Sequence, residues 1–147
     1  MLVPDVNVLV YAHRPDSPRH EDARAWLARS LSSGEPVGVS ELVLSGFLRV
    51  VTNHRVFADP SPPEVALTFC TALMQRGTVV PLRPGARHWP IFTGLCAAVG
   101  ARGNAVPDAY HAALALENSA TWVTTDRDFA KFPDLRWIPL PATGQEA

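Results

Sequence analysis

The sequence has little of what membrane proteins and disulfide-rich secreted proteins are built from. It has two cysteines in 147 residues and a formal net charge of −1 at pH 7. No apolar run approaches the roughly 20 residues that span a membrane. No basic segment precedes an apolar one at the start of the chain, so we expect no signal peptide. We therefore expect a cytoplasmic protein with no membrane association, whose two cysteines are thiols rather than a disulfide.

Glycine-rich phosphate-binding loops are also missing from the sequence. It contains neither a Gly-x-Gly-x-x-Gly nor a Gly-Lys-Ser/Thr motif, which excludes the usual dinucleotide and nucleotide triphosphate loops. Lys131 is the only lysine, and all other basic side chains apart from histidine are arginines. Since the net charge is close to zero, any binding of nucleic acid must depend on local patches of arginine, whose planar fork suits phosphate.

Short β-like runs alternate with longer helical segments along the whole chain, a pattern that predicts an α/β fold on a parallel sheet. Residues 1–140 are predicted to form one domain, and residues 141–147 a disordered tail. The predicted strands are residues 2–5, 37–39, 78–82, 121–124 and 137–140. The predicted helices are residues 6–13, 20–31, 40–52 with Ser40 as N-cap, 64–75, 88–99 and 107–119, with a helical turn at 129–132. Helix 40–52 has almost no polar face, so it is expected to be largely buried.

Four acidic side chains lie where such a sheet would gather them. Asp5 ends the first predicted strand, Glu41 and Asp126 each follow a predicted strand, and Asp108 lies near the start of a predicted helix. The carboxyl ends of parallel strands share one edge of the sheet, and ligands bind at that edge. Carboxylates gathered there repel one another, and a hard divalent cation with oxygen ligands removes the repulsion. We therefore predict catalytic roles for all four acids around a Mg²⁺ ion, with Mn²⁺ as a possible substitute.

The roles of the acids in this hypothesis differ. Asp5 and Asp108 are predicted to bind the metal directly, and Glu41 and Asp126 to hold metal-bound water or a second ion. Zinc is disfavoured because the site has no cysteine, and its only nearby histidine, His111, is interpreted as a packed core residue. An alternative explains each acid singly: a carboxylate at a helix start accepts backbone N–H groups. Capping does not explain why the acids are grouped.

Three further polar residues are predicted to support the site. Asn7 lies two residues after Asp5, and Thr124 lies two residues before Asp126 on the same strand face. Both side chains can donate to a carboxylate or to a substrate phosphate. Asp128 either extends the acidic site or caps the turn that it begins, and the second interpretation is favoured.

Four segments of the sequence resemble the PIN-domain nucleases, and most of all the VapC-type toxins of bacterial toxin–antitoxin modules. They are the Asp-x-Asn segment 4–9, the glutamate helix 40–53, the third-acid segment 103–110 and the Thr-x-Asp-x-Asp-Phe segment 124–129. The resemblance implies an α/β/α sandwich on a central parallel sheet and a Mg²⁺-dependent endoribonuclease site. It also implies a homodimer and a cognate antitoxin as protein partner.

An RNA substrate needs positive side chains beside the acids. Four arginines are placed to flank the predicted site and are expected to contact RNA phosphates: Arg49, Arg55, Arg102 and Arg127. The apolar side chains of helices 20–31 and 64–75 suggest a second feature, a groove that would accept an amphipathic antitoxin helix.

Two other functional hypotheses remain at this stage. The first is a non-catalytic PIN-like module that binds RNA or protein, in which the acids serve only as caps. The second is a phosphatase or receiver-type domain with similar sheet topology. The second is disfavoured because those sites rely on a lysine to hold the phosphoryl group, and Lys131 does not occur in the expected context.

Overall fold

The computed structural model describes residues 1–144, which fold around one five-stranded sheet. The strands are β1 (Leu2–Pro4), β2 (Val37–Ser40), β3 (Val79–Leu82), β4 (Thr121–Thr124) and β5 (Trp137–Pro139). Their order across the sheet is β3-β2-β1-β4-β5, and every neighbouring pair is parallel. The predicted α/β fold with a central parallel sheet is confirmed. Because β1 lies in the middle, the chain leaves it toward β2 on one side and returns to β4 on the other.

Six α-helices and one 3₁₀ helix connect the strands in the described residues. They are α1 (Val6–His13), α2 (His20–Ser32), α3 (Glu41–Val51), α4 (Pro63–Met74), α5 (His88–Val99), α6 (Ala105–Glu117) and the 3₁₀ helix Arg127–Lys131. Within residues 1–144 no helix is long and apolar enough to cross a membrane. Both cysteines are free thiols, Cys70 buried and Cys96 partly buried.

The sheet is covered on both faces, as parallel sheets are. Val3 of β1, Val37 of β2 and Val123 of β4 are each at most 1% exposed. Gly38 of β2 lets the Leu82 side chain of β3 pack directly against the β2 backbone, because a Cβ atom at Gly38 would lie 2.6 Å from Leu82 Cδ1. Aliphatic side chains therefore cover the middle of the sheet, and polar side chains lie at the ends of the strands.

Two expectations about the helices need correction. Helix α6 begins at Ala105, two residues before the predicted start at Pro107, because proline is tolerated in the first turn, where its missing N–H has no intrahelical partner. Helix α3 is not largely buried: only Val43, Phe47 and Val51 are buried. Leu42 and Val50 belong to the wall of a cleft, and Leu44 and Leu48 are only partly buried against the core. Sequence periodicity cannot distinguish a cleft wall from a core.

The chain after β5 returns along α2. The backbone N and the hydroxyl of Thr143 both donate to Asp22 Oδ1, each over 2.7 Å. These bonds and the bond from Arg19 lower the pKa of Asp22 to about 2. Residues 145–147 of the predicted disordered tail, 141–147, lie outside the described residues, and the disorder of the tail stays a prediction.

Candidate active site

A cleft of about 930 Å³ opens at the carboxyl ends of β1 and β4. Asp5 comes directly after β1, Asp126 comes two residues after β4, and Asp108 lies in the first turn of α6; all three line the cleft. Asn7 also lines it. The edge of the sheet beside the central strand therefore brings together three of the four predicted acids.

Thr124 is the centre of the hydrogen bonds that fix Asp5. Its hydroxyl donates to Asp5 Oδ2 over 2.5 Å and accepts from Asn7 Nδ2 over 3.1 Å and from the backbone N of Asp126 over 2.9 Å. Asn7 Nδ2 also donates to Asp5 Oδ2 over 2.9 Å. Thr124 is fully buried, so its one hydroxyl holds the ends of β1 and β4 at a fixed separation. Asn7 and Thr124 thus contact the carboxylate that they were predicted to support.

The pKa values of Asp5 and Asp108 are raised, because burial and nearby carboxylates disfavour their charged forms. Burial is the largest cause for Asp5, whose pKa rises to about 6 although Thr124 and Val6 donate to it; Asp108 and Asp126 add to the rise. Burial also raises the pKa of Asp108, and Asp126 and Asp128 add to this while Lys131 opposes it. The cleft is therefore a region of crowded negative charge.

Capping accounts for some of these acids but not for all. Asp5 caps α1, with Oδ1 accepting from the backbone N of Val6 over 2.6 Å. Asp126 caps the 3₁₀ helix by accepting from the backbone N of Asp128 over 2.8 Å. Asp108 caps nothing, since it lies inside α6 and that helix has no side-chain cap. Capping alone therefore does not explain the third acid.

Asp128 needs a correction. It was expected to cap a turn, but it lies inside the 3₁₀ helix as the residue whose N–H is capped by Asp126. Its carboxyl does not line the cleft, although it is near enough to contribute to the raised pKa of Asp108.

Glu41 is not gathered with the three aspartates. It is the first residue of α3, after the cap Ser40, whose hydroxyl accepts from the backbone N of Val43 over 3.1 Å. The carboxylate of Glu41 lies 3.1 Å from Arg83 Nη2 in a pair whose side chains are 77% and 74% exposed. Residues that line the cleft come from the next turns of the same helix: Leu42, Ser45, Gly46 and Arg49.

The chemistry of the cleft fits a hard divalent cation held by few protein ligands. All three acids offer oxygen. Burial raises the pKa values of Asp5 and Asp108, neighbouring carboxylates add to both rises, and a cation would relieve that repulsion. Within residues 1–144 no three Asp, Glu, His or Cys side chains are placed to bind one ion together. Mg²⁺ accepts such a site, because it keeps several waters and is commonly bound through one or two carboxylates and the substrate phosphate.

His111 is buried and packed, as the sequence favoured, and it also borders the cleft. It lines the cleft and is 6% exposed, and its ring stacks on Trp122 with centroids 5.2 Å apart. Burial lowers the pKa of His111 to about 4, and its buried Nδ1 has no hydrogen-bond partner in the described structure. The ring is therefore neutral at pH 7. The signal in the sequence was the spacing of one helical turn from Asp108.

One of the four predicted RNA-contacting arginines lines the cleft. Arg49 does so from α3. Arg55, Arg102 and Arg127 are exposed and do not line the cleft, but each is close in sequence to a residue that does: Val56, Asn104 and Asp126 respectively. Their contact with RNA stays a prediction.

The chain matches one protein family along most of its length. The family model described as PIN domain matches residues 2–135. The chain is 51% identical over 137 residues to VapC ribonuclease Mb2897 of Mycobacterium bovis, covering 93% of each chain. It is 41% identical over 141 residues to ribonuclease VapC25 of Mycobacterium tuberculosis, covering 96% of this chain and 99% of the relative.

Solved structures share the fold at much lower identity. VapBC2 from Rickettsia felis, bound to a DNA fragment from its promoter, matches with a TM-score of 0.70 at 17% identity, covering 95% of this chain and 98% of the other. VapC20 of Mycobacterium tuberculosis, a toxin that cleaves the sarcin–ricin loop, matches with a TM-score of 0.64 at 18% identity, covering 92% and 99%. At this identity the likeness concerns the fold alone.

The neutral, buried His111 predicts how stability depends on pH. Between pH 6.5 and about 4 the unfolded chain protonates this histidine and the folded chain does not, so the folded state loses stability as pH falls. A difference of about 2.5 pKa units at 1.36 kcal/mol each gives a loss of about 3 kcal/mol. His111→Phe keeps an aromatic ring beside Trp122 and removes this dependence. Urea unfolding in EDTA, from pH 7.5 down to pH 4, measures it.

The raised pKa of Asp5 has the opposite effect on stability, because it favours the folded state as pH falls. Both proteins contain Asp5, so its effect cancels in the difference between their curves. His54→Phe is the matched control, because His54 is an exposed histidine outside the cleft. Parallel curves for wild type and His111→Phe would contradict the buried, neutral state of His111.

Proposed function

Because the chain belongs to the PIN-domain family, and within it to the VapC-type ribonucleases, we propose that it is a metal-dependent endoribonuclease and the toxin of a type II toxin–antitoxin system. One observation of the site carries the proposal beyond the family. Three aspartates from β1, α6 and the end of β4 share one cleft, and two of them have raised pKa values because the acids are buried and crowded together.

The proposed reaction is hydrolysis of an RNA phosphodiester bond. Asp5 and Asp108 would hold Mg²⁺, with Mn²⁺ as a substitute. When bound, the ion would lower the pKa of its water and offset the negative charge on the phosphoryl oxygens. Thr124 and Asn7 keep the Asp5 carboxylate in one orientation by donating to Oδ2 over 2.5 and 2.9 Å. Asp126, whose Oδ1 accepts from the backbone N of Asp128, would accept a hydrogen bond from water bound to the ion.

Glu41 remains part of the proposal as an acid recruited from the start of α3. Its bond to Arg83 is an exposed ion pair, and such pairs contribute about 0–1 kcal/mol. Little free energy therefore holds the Glu41 side chain where it lies. The rest of the α3 face, including Ser45 and Arg49, already lines the cleft. A divalent cation in the cleft would offer Glu41 a stronger partner than Arg83.

Cleavage of a pool of structured cellular RNAs tests the proposed activity. Wild type with Mg²⁺ should make discrete cuts, and EDTA should abolish them. Asp108→Asn should reduce the cleavage rate by more than about 100-fold, because residues that only support metal ligands are already worth 10–100-fold. Asp134→Asn is the matched control: it makes the same change outside the cleft, at a residue with φ 61° that asparagine also adopts.

The outcome separates the nuclease from the alternative, a non-catalytic PIN-like module that binds RNA or protein. The pairing of Glu41 with Arg83, away from the aspartates, is the observation that favours the module. If folded wild type cuts nothing in Mg²⁺ or Mn²⁺, and titration detects no binding of either ion, the module is the better description.

Arg102 is proposed as a phosphate contact that does not touch the metal. It is exposed, and it precedes Asn104, which lines the cleft. Arg102→Ala should weaken RNA binding and lower the slope of log Kd against log salt by about 0.7, the value for one phosphate contact to a single strand. Arg29→Ala, an exposed arginine of α2 outside the cleft, is the control. An unchanged salt slope would remove Arg102 from the RNA path, and unchanged Mn²⁺ affinity would show that the metal site is intact.

A cognate antitoxin and a second copy of the chain are the proposed protein partners. The predicted groove cannot use Trp26 and Leu27 of α2, which are 4% and 7% exposed and belong to the core. Some apolar side chains remain exposed and support protein contacts. Val65 and Leu67 of α4, the second helix of the predicted groove, are 51% and 52% exposed, and Trp89 of α5 is 67% exposed.

The partner proposal has a direct measurement. Light scattering of the purified protein should give twice the chain mass of 15.9 kDa. The complex with co-expressed antitoxin should be larger and should not cut the RNAs that the free protein cuts. A complex that is as active as the free protein would contradict inhibition, and a monomer mass at all concentrations would contradict the dimer.

A further inference from the structure

Arg14 has contacts that the proposed reaction does not use. It follows α1, and its side chain is 11% exposed. Its Nε and Nη2 donate to the two carboxylate oxygens of Asp16 over 2.8 and 2.7 Å. Nη2 also donates to the backbone oxygen of Asp59 over 2.8 Å, and Nη1 donates to Ser61 Oγ over 3.1 Å. One guanidinium therefore joins the loop after α1 to the loop between α3 and α4.

The same guanidinium lies against an aromatic ring of the second loop. Arg14 Cζ is 4.2 Å from the ring centroid of Phe57. A cation over an aromatic face is attracted by the negative charge of that face. The position of the Phe57 ring is therefore coupled to the position of the Arg14 side chain.

Arg14 is not available as a phosphate contact. A guanidinium has five N–H donors, and four of them are used by Asp16, Asp59 and Ser61. The Asp16 carboxylate also offsets its charge and would repel a phosphate approaching from that side. Arg14 thus differs from the exposed arginines around the cleft, and its contacts point to a role in holding structure.

Ser61 extends this contact to the core. Its hydroxyl oxygen accepts from Arg14 and lies 3.0 Å from His13 Nε2, so its single hydrogen is free to be donated to His13. The His13 ring packs edge-on against Phe47 and Phe69, with centroids 5.3 and 5.1 Å away. The end of the loop is therefore anchored on α1, α3 and α4.

Both loops form the wall of the cleft that contains the aspartates. Asp16, Ser17 and Pro18 line it from one loop, and Val56 and Phe57 line it from the other. Tyr11 of α1 precedes both loops in sequence and also lines the cleft. The wall that Arg14 holds is thus largely apolar and aromatic, and it is continuous with the acidic site.

We propose that Arg14 is a positioning residue for RNA cleavage, which fixes the wall around Tyr11 and Phe57 so that it receives an unpaired nucleobase beside the scissile phosphate. The inference rests on the proposed nuclease function and names the substrate as RNA with an unstacked base at the cut. Proteins that read single-stranded RNA stack its bases on aromatic side chains. A phosphate group would find no free cation on this wall, since Arg14 is already paired with Asp16.

The test combines a variant with a modified substrate. Arg14→Lys keeps the charge but loses the two-pronged contact with Asp16, and Arg24→Lys, an exposed arginine of α2 paired with Glu21, is the matched control. The substrate is a short single-stranded RNA that spans a mapped cut, with or without the base beside the scissile phosphate. Loss of one stacked base should raise KM by about tenfold.

The expected pattern is a change in KM rather than in kcat. Arg14→Lys should raise KM for the intact RNA about as much as removal of the base does for wild type. It should bind the base-free RNA no worse than wild type, so the two changes should not add. Affinity for Mn²⁺ should be unchanged, and the amides of residues 53–61 should exchange hydrogen faster.

Three outcomes would overturn the inference: an unchanged KM for Arg14→Lys, effects that add with removal of the base, or a fall in kcat alone. If Arg14→Lys fails to fold, Phe57→Leu takes its place, because it removes the aromatic face and leaves Arg14 with Asp16; an unchanged KM in that variant overturns the inference equally. If wild type cuts no RNA, the proposed function fails. The dissociation constants of wild type and Arg14→Lys for a short single-stranded RNA, with and without one base removed, then decide whether Arg14 holds a base-binding wall.

Discussion

The burial of one carboxylate at the end of the central strand is the constraint on which the site depends. Asp5 is 6% exposed, and its pKa is raised to about 6, chiefly because burial disfavours its charge. Hydrogen bonds donated to the Asp5 carboxylate by Val6, Asn7 and Thr124 offset part of this cost. A charged group that is buried and incompletely neutralised marks the place where a cation or a positively charged partner gains most by binding.

Two sets of residues with different chemistry line the cleft, at its acidic end and at its apolar end. The acidic end is formed by residues at strand ends and in the first turn of α6. The other end is formed by loops after α1 and α3 and is mainly apolar. Helix α3 connects the two ends, because one of its faces packs in the core through Val43 and Phe47 while another carries Leu42 and Arg49 to the cleft. Chemistry and recognition of the substrate would therefore occupy neighbouring parts of one surface.

The sequence predicts features that depend on local patterns and strand order. It does not predict features that depend on single contacts between residues far apart in the chain. The positions of Asp5 and Asp126 follow from strand order alone, because parallel strands end at one edge, and both line the cleft. The direction of the Glu41 side chain depends on Arg83, which is 42 residues away and is joined to it by one exposed bond. The Arg14 contacts join residues 45 and 47 positions apart. No local periodicity encodes contacts of that kind, and the apolar face of α3 looks the same in sequence whether it meets a core or a cleft.

The bond between Thr124 and Asp5 spans 119 residues of sequence. Its consequence concerns synthesis of the chain on the ribosome. A nascent chain that ends before β4 has the first acid but lacks the strand that orients it, and it also lacks Asp126. The edge of β1 where β4 pairs is open until that strand has emerged. The site is therefore assembled only after most of the protein has been translated.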